Sequence, residues 1–251
     1  MKTRKNINAI LILSMFFVVA CSDVSKTLAP TETPLPTKFM STPIKTLQPT
    51  STPNVIETQN YVDLFSDVQK FKNDGLIPST SGNYRVLYDF YNNTVARGYI
   101  EYWFSDIKAK YFVYKAHLSW STAGVTSDTS GCAIVFAGNA RGNMYDFYGV
   151  VLDRSRIFFS STYAGHYYDI GKSRGTGKVD IIGDPAEADF MLVVYDYKAS
   201  VFVNDEFVGE YALSKDRKLE GEFDYGIMSG TNKDYGTRCI IRNSRMWNFS
   251  Q

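Results

Sequence analysis

The stretch YFVYKAHLSW, Tyr111 to Trp120, alternates without a break. Phe112, Tyr114, Ala116, Leu118 and Trp120 fall on one face, and Val113, Lys115, His117 and Ser119 on the other. A period of two over this length marks a half-buried strand. Its neighbours read the same way. Cys132 to Ala137 (CAIVFA) is a short apolar run suited to a strand buried on both faces. Phe147–Leu152 and Arg156–Ser160 read as a hairpin turning at Asp153-Arg154-Ser155. Phe190–Tyr197 and Ser200–Val203 follow, and Asn204-Asp205 is a tight-turn signal leading into Glu206-Phe207-Val208. Tyr225–Gly230 and Arg238–Trp247 complete the set. The one candidate for helix is Asp63–Phe71, a turn or two with Leu64, Val68 and Phe71 in phase. Many strands with turn signals between them predict an all-β sandwich or barrel.

Composition bounds the rest. Residues 61–251 are enough for one domain. From Tyr61 onward 21 basic residues face 23 acidic ones, a net charge of −2. No basic field exists to hold nucleic acid. Upstream, residues 21–60 contain Pro30, Pro34, Pro36, Pro43, Pro49 and Pro53 interleaved with threonine. So few large apolar groups cannot offset the entropy of ordering a backbone, and this segment is predicted to be a disordered, extended linker. Beyond Cys21 the only cysteines are Cys132 and Cys239, and the sequence leaves their pairing open.

The amino terminus has a different logic. Lys2, Arg4 and Lys5 precede Ala9–Ala20 (AILILSMFFVVA), whose 12 residues are too few to span a bilayer, which takes roughly 20. Residues 1–20 read as a signal peptide. Val18-Val19-Ala20-Cys21 resembles the lipobox of bacterial lipoproteins, which implies cleavage before a lipidated Cys21 and an extracytoplasmic, membrane-tethered domain. Acyl chains contribute about 0.8 kcal/mol per buried CH₂, so two or three suffice for stable anchoring.

The order of pieces in the domain resembles the concanavalin A-like lectin/glucanase jelly roll, in its laminin G-like and 3-keto-disaccharide hydrolase-like branches. The residues that carry the likeness are DLFSD (Asp63–Asp67), FVYKAHLSW (Phe112–Trp120), GCAIVF (Gly131–Phe136), GNMYDFYGVVLD (Gly142–Asp153), ASVFVNDEFVGEY (Ala199–Tyr211), DYGIMSGT (Asp224–Thr231) and TRCIIRNSRMW (Thr237–Trp247). The resemblance implies an antiparallel two-sheet jelly-roll sandwich. It implies no single function, because one fold hosts lectins, adhesion modules, hydrolases and lyases.

Catalytic motifs mostly fail. Gly171-Lys172-Ser173-Arg174-Gly175 matches GxSxG, but Thr176-Gly177-Lys178 gives no helix to follow a nucleophile elbow. Read as a phosphate loop, the same stretch has His166 where a glycine is required. Glu220, Glu222 and Asp224 resemble part of the acidic strand of glucanases, but Gly226 stands where a third acid belongs. A solvated acidic turn is the favoured reading there. His117 and His166 are isolated, no CxxC or calcium-loop spacing occurs, and no metal or cofactor is expected.

What remains is aromatic. Tyrosine and tryptophan faces stack on sugar C–H surfaces while polar groups orient the ring. Trp103, Tyr145, Tyr163 and Tyr167 are the candidate stacking residues, with Arg141 or Asp146 to orient hydroxyls, all on one concave face. The predicted function is a surface-displayed, non-catalytic glycan- or ligand-binding module. An oligosaccharide-active enzyme (3-keto-glycoside hydrolase, glucanase-like or lyase) and an adhesive module with a protein partner are the alternatives.

Overall fold

The YFVYKAHLSW stretch forms a central strand of its sheet, and its alternation is borne out. The computed structural model describes residues 55–98, 100–124, 130–154, 156–172 and 183–249. Cys21, the signal segment, residues 22–54 and most of the GxSxG stretch lie outside the described residues. In chain order the elements are α1 (Val55–Asn73), β1 (Gly82–Val86), β2 (Phe90–Thr94), β3 (Ile100–Tyr102), β4 (Lys108–Ala109), β5 (Phe112–Thr122), β6 (Gly131–Arg141) and β7 (Met144–Leu152). They continue with β8 (Ile157–Tyr163), β9 (His166–Lys172), β10 (Ala186–Tyr195), β11 (Lys198–Val203), β12 (Glu206–Ala212), β13 (Gly221–Met228) and β14 (Thr237–Phe249).

Two antiparallel sheets result, and the fold is the expected jelly-roll sandwich. The first runs β1-β14-β5-β10-β11-β12, with β2 also on β14. The second runs β3-β13-β6-β7-β8-β9, with β4 also on β13. Between them lie Phe112, Tyr114, Leu118 and Trp120 of β5, Phe190 and Leu192 of β10, Phe136 of β6, Tyr148 of β7 and Phe223 and Tyr225 of β13. Each large side chain so buried contributes about 1.5–3 kcal/mol relative to exposure. The Cys132–Cys239 disulfide joins β6 to β14, and therefore one sheet to the other. The pairing left open by the sequence is made. Closing a loop across 107 residues of chain stabilises by about 5 kcal/mol in the chain-entropy account.

The helix corrects the sequence reading. It runs 19 residues rather than one or two turns, and begins at Val55, inside the segment expected to be linker. Leu64, Val68 and Phe71 are its buried face, as their phase suggested. They pack on Val113, Met191, Val193, Phe202 and Trp247, the outward face of the first sheet. Lys115 Nζ donates to Asp67 Oδ2 at 2.6 Å and ties the helix to β5. The helix ends in a Schellman motif: Leu76 N–H bonds to the Phe71 carbonyl and Gly75 N–H to that of Lys72. Gly75 sits there at φ 75°, a conformation glycine adopts without a Cβ clash. The DLFSD segment lies within α1. Among the described residues no helix is long and apolar enough to cross a membrane.

Turn chemistry sets the hairpins. Asn204 and Asp205 both have positive φ, as a two-residue turn between β11 and β12 needs. Tyr197, read as the end of a strand, instead joins Asp196 in the positive-φ turn between β10 and β11.

Candidate functional site

Register decides which side chains can meet. Tyr148 pairs with Phe136 on β6 and with Ser161 on β8, and Phe136 belongs to the core. Asp146 therefore lies on the inner face of β7 and Tyr163 on the inner face of β8, two residues further toward the hairpin tips. The tip joining β6 and β7 is Gly142-Asn143, with Gly142 at φ 61° in the first central position. The tip joining β8 and β9 is Ala164-Gly165. The two tips lie side by side: a Cβ on Gly165 would fall 2.6 Å from Met144 Sδ.

A ladder of rings and guanidinium groups climbs this face from the core to the rim. Tyr148 stacks on Phe136 at 5.5 Å. Arg217, from the loop between β12 and β13, lies 4.3 Å over the Tyr148 ring and 5.1 Å from the centre of Tyr163. Arg141 lies 4.6 Å over Tyr163. Such contacts contribute about 0.5–1 kcal/mol when exposed and about 2 when desolvated. Hydrogen bonds fix each rung. Arg217 Nη2 donates to the carbonyls of Thr162 (2.8 Å) and Phe147 (3.3 Å), and Ser214 N–H donates to the Tyr148 hydroxyl at 3.0 Å. Arg141 Nε donates to Asp146 Oδ2 at 2.8 Å. Ala164 N–H donates to Asp146 Oδ1 at 2.8 Å. The Arg141 pKa is raised, chiefly by its hydrogen bond with Tyr163, with Asp146 adding to it. A cavity of about 230 Å³ opens beside the ladder, lined by Asn139, Arg141, Asp146, Tyr163, Arg217 and Lys218 among others.

Of the six residues singled out in sequence, three meet here: Arg141, Asp146 and Tyr163. The single concave face expected for all six is not formed. Tyr145 points to the outer face of the second sheet, where it stacks on Phe104 at 4.3 Å. Tyr167, opposite Thr162, is also on the outer face and stacks on Phe158 at 6.2 Å. Trp103 lies between β3 and β4 and packs 5.3 Å from Phe90. Strand parity separates Tyr145 from Asp146, and Tyr167 from Tyr163. Asp146 has its two oxygens engaged by Arg141 and Ala164, so it positions the arginine and the β8–β9 tip. Sequence reasoning missed Arg217 and Lys218, which sit in the stretch Ser214–Glu220; Tyr148, read from its strand as a possible sugar-stacking ring, is buried in the core at 1% exposure.

The acidic stretch is also corrected. Gly221–Met228 is strand β13, and Asp224 is 2% exposed rather than in a solvated turn. The Tyr88 hydroxyl donates to Asp224 Oδ1, which also accepts the Tyr225 N–H at 2.7 Å. Burial raises the Asp224 pKa, against the lowering effect of both donors. His117 Nδ1 lies 2.9 Å from Asp189 Oδ1 on the first sheet. Among the described residues no three His, Cys, Asp or Glu side chains gather as a metal site requires.

No family model matches the chain, and no curated protein matches it. Among solved structures it is similar to the carbohydrate-binding module CBM66 from Bacillus subtilis, with a TM-score of 0.44 and 11% identity over 66% of this chain and 96% of that one. Sheep galectin-11, in complex with glycerol, gives 0.38 and 11% over 61% and 99%. A Bacillus licheniformis β-glucanase gives 0.40 and 11% over 59% and 70%.

Proposed function

We propose that this chain is a lipid-anchored, extracytoplasmic protein whose sandwich binds a glycan without turning it over, through the rim where Arg141, Tyr163 and Arg217 converge. One observation carries the reading. The rim's charged groups are held before any ligand arrives, by backbone hydrogen bonds, an ion pair and ring faces, beside a cavity that is open to solvent. Groups fixed in advance lose little entropy on binding, and that is what a recognition surface needs. The buried carboxylate of the rim is engaged with its own neighbours, which suits positioning rather than proton transfer. Anchoring is supported by Lys2, Arg4, Lys5 and the run ending in Cys21.

The test uses the full chain and its Cys21→Ser variant. The parent is expected to partition into Triton X-114 and the variant to remain aqueous; equal partitioning would overturn the anchor. The variant is then applied to a glycan array and to chromogenic glycosides and polysaccharides. Binding without product is the expected result. Turnover would instead establish the oligosaccharide-active enzyme, and silence in both assays the protein-binding module.

A further inference from the structure

The faces of Tyr163 are already used. With Arg141 4.6 Å and Arg217 5.1 Å from its ring centre, it offers a sugar no bare platform. It serves instead to hold two guanidinium groups at the cavity. A guanidinium lying flat on a ring directs its N–H donors sideways, in its own plane. Arg141 spends Nε on Asp146 and also hydrogen-bonds Tyr163, yet it remains half exposed and its guanidinium lines the cavity. Arg217 Nη2 donates to two neutral carbonyls, which do not compensate its charge. Lys218 also lines the cavity and is ion-paired at 3.8 Å with Glu220, which is not part of the lining. Within the lining these three cations face two acids, Asp146, spent on Arg141, and Asp216. The lining therefore carries one net positive charge in a domain that is net acidic. Its volume of about 230 Å³ is below the roughly 300 Å³ at which drug-sized pockets begin, and suits a single ring with a small substituent.

We propose that the rim selects an acidic saccharide, one whose ring carries a carboxylate, and that Arg141 pairs with that carboxylate while Lys218 adds longer-range attraction. The planar fork of arginine matches a carboxylate in a bidentate way that no neutral hydroxyl can match. This inference rests on the glycan-binding reading above and goes beyond it in naming the ligand's charge.

The experiment is calorimetry on the full-length Cys21→Ser chain with four probes. These are an oligogalacturonate, a neutral galacto-oligosaccharide of equal length, a sulfated heparin fragment and a poly-glutamate peptide. The oligogalacturonate is expected to bind at least tenfold more tightly than the neutral oligomer, with affinity that falls as salt rises. It is also expected to bind more tightly than the sulfated and peptide probes. Arg141→Gln should bring the acidic-to-neutral ratio toward one. Lys218→Gln, at an exposed position, should lower that ratio several-fold and serves if the arginine variant does not fold. Equal affinity for both galactose-based oligomers overturns the acidic preference and leaves glycan binding standing. Failure of every saccharide overturns both. A peptide or sulfated probe that binds as well as the uronate overturns the carboxylate assignment.

Discussion

Asp224 holds a carboxyl in the sandwich at a place where burial opposes its charge, and two donors reach it to compensate. A carboxyl with a raised pKa binds its proton more tightly in the folded chain than in the unfolded one. Its contribution to stability is therefore full in acid and is lost as pH rises through the folded pKa. Asp224→Asn keeps an oxygen for Tyr88 and Tyr225 but cannot ionise. The stability of the variant minus that of the parent is expected to grow from about pH 4 upward and then level off. Urea denaturation at a series of pH values measures it, and a difference that stays flat with pH would sink the idea. From sequence alone these acids looked solvated because Glu220, Glu222 and Asp224 alternate. The donor that changes the reading, Tyr88, lies 136 residues away along the chain. Arg217 was illegible for the same reason: nothing in SKDRKLE says that it will lie on a tyrosine of β7. Arg141, Asp146 and Tyr163 were legible because their own hairpins bring them together.

In helix α1 periodicity gave the buried face but not the length. Val55, Ile56, Tyr61 and Val62 are exposed apolar residues, and they blur the three-to-four spacing of Leu64, Val68 and Phe71. Its C-terminal signal was nonetheless present: Lys70 and Lys72 in the last turn, then Gly75 with Leu76 behind it. The strands were easier. Alternation fixed β5, and an Asn-Asp turn fixed the β11–β12 hairpin. The short strands β1 to β4 escaped, since two to five residues carry too little pattern. The helix is structural in consequence as well as in form. Phe71 is 1% exposed and its ring lies 5.0 Å from that of Phe202 on β11. Phe71→Ala is expected to cost about 3–5 kcal/mol of unfolding free energy, the range for a buried aromatic cut to alanine. A loss under about 1 kcal/mol by chemical denaturation would mean that the helix is loosely appended.

At the scale of the molecule, the two sheets differ in what covers them. α1 packs on the outward face of the first sheet, and the rim described above belongs to the inner face of the second. The order of soft motifs along the chain was enough to read this architecture, because a jelly roll is specified by the sequence of its strands more than by any one of them. Where the domain begins was less legible: the proline-rich run ends at Pro53, yet no apolar pattern announces the helix that starts two residues later. The structure makes that boundary testable. Arg245, 8% exposed on β14, donates from Nη1 to Asn60 Oδ1 at 3.1 Å. Tyr61 packs against Phe65, Tyr84 and Trp247. A chain cut to begin at Tyr61 loses the nearer of two acceptors for a buried guanidinium, Asn243 O at 3.4 Å being the other, and the first turn that holds Tyr61 in helical geometry. It is expected to be less stable than the parent by about 1–3 kcal/mol. Limited proteolysis of the full chain gives the same boundary without a truncation. Cleavage is expected within residues 22–54, and Edman sequencing should place the start of the surviving core at or before Val55. A core that begins at or after Tyr61, with unchanged melting behaviour, would show that the first six residues of the helix contribute nothing to the fold.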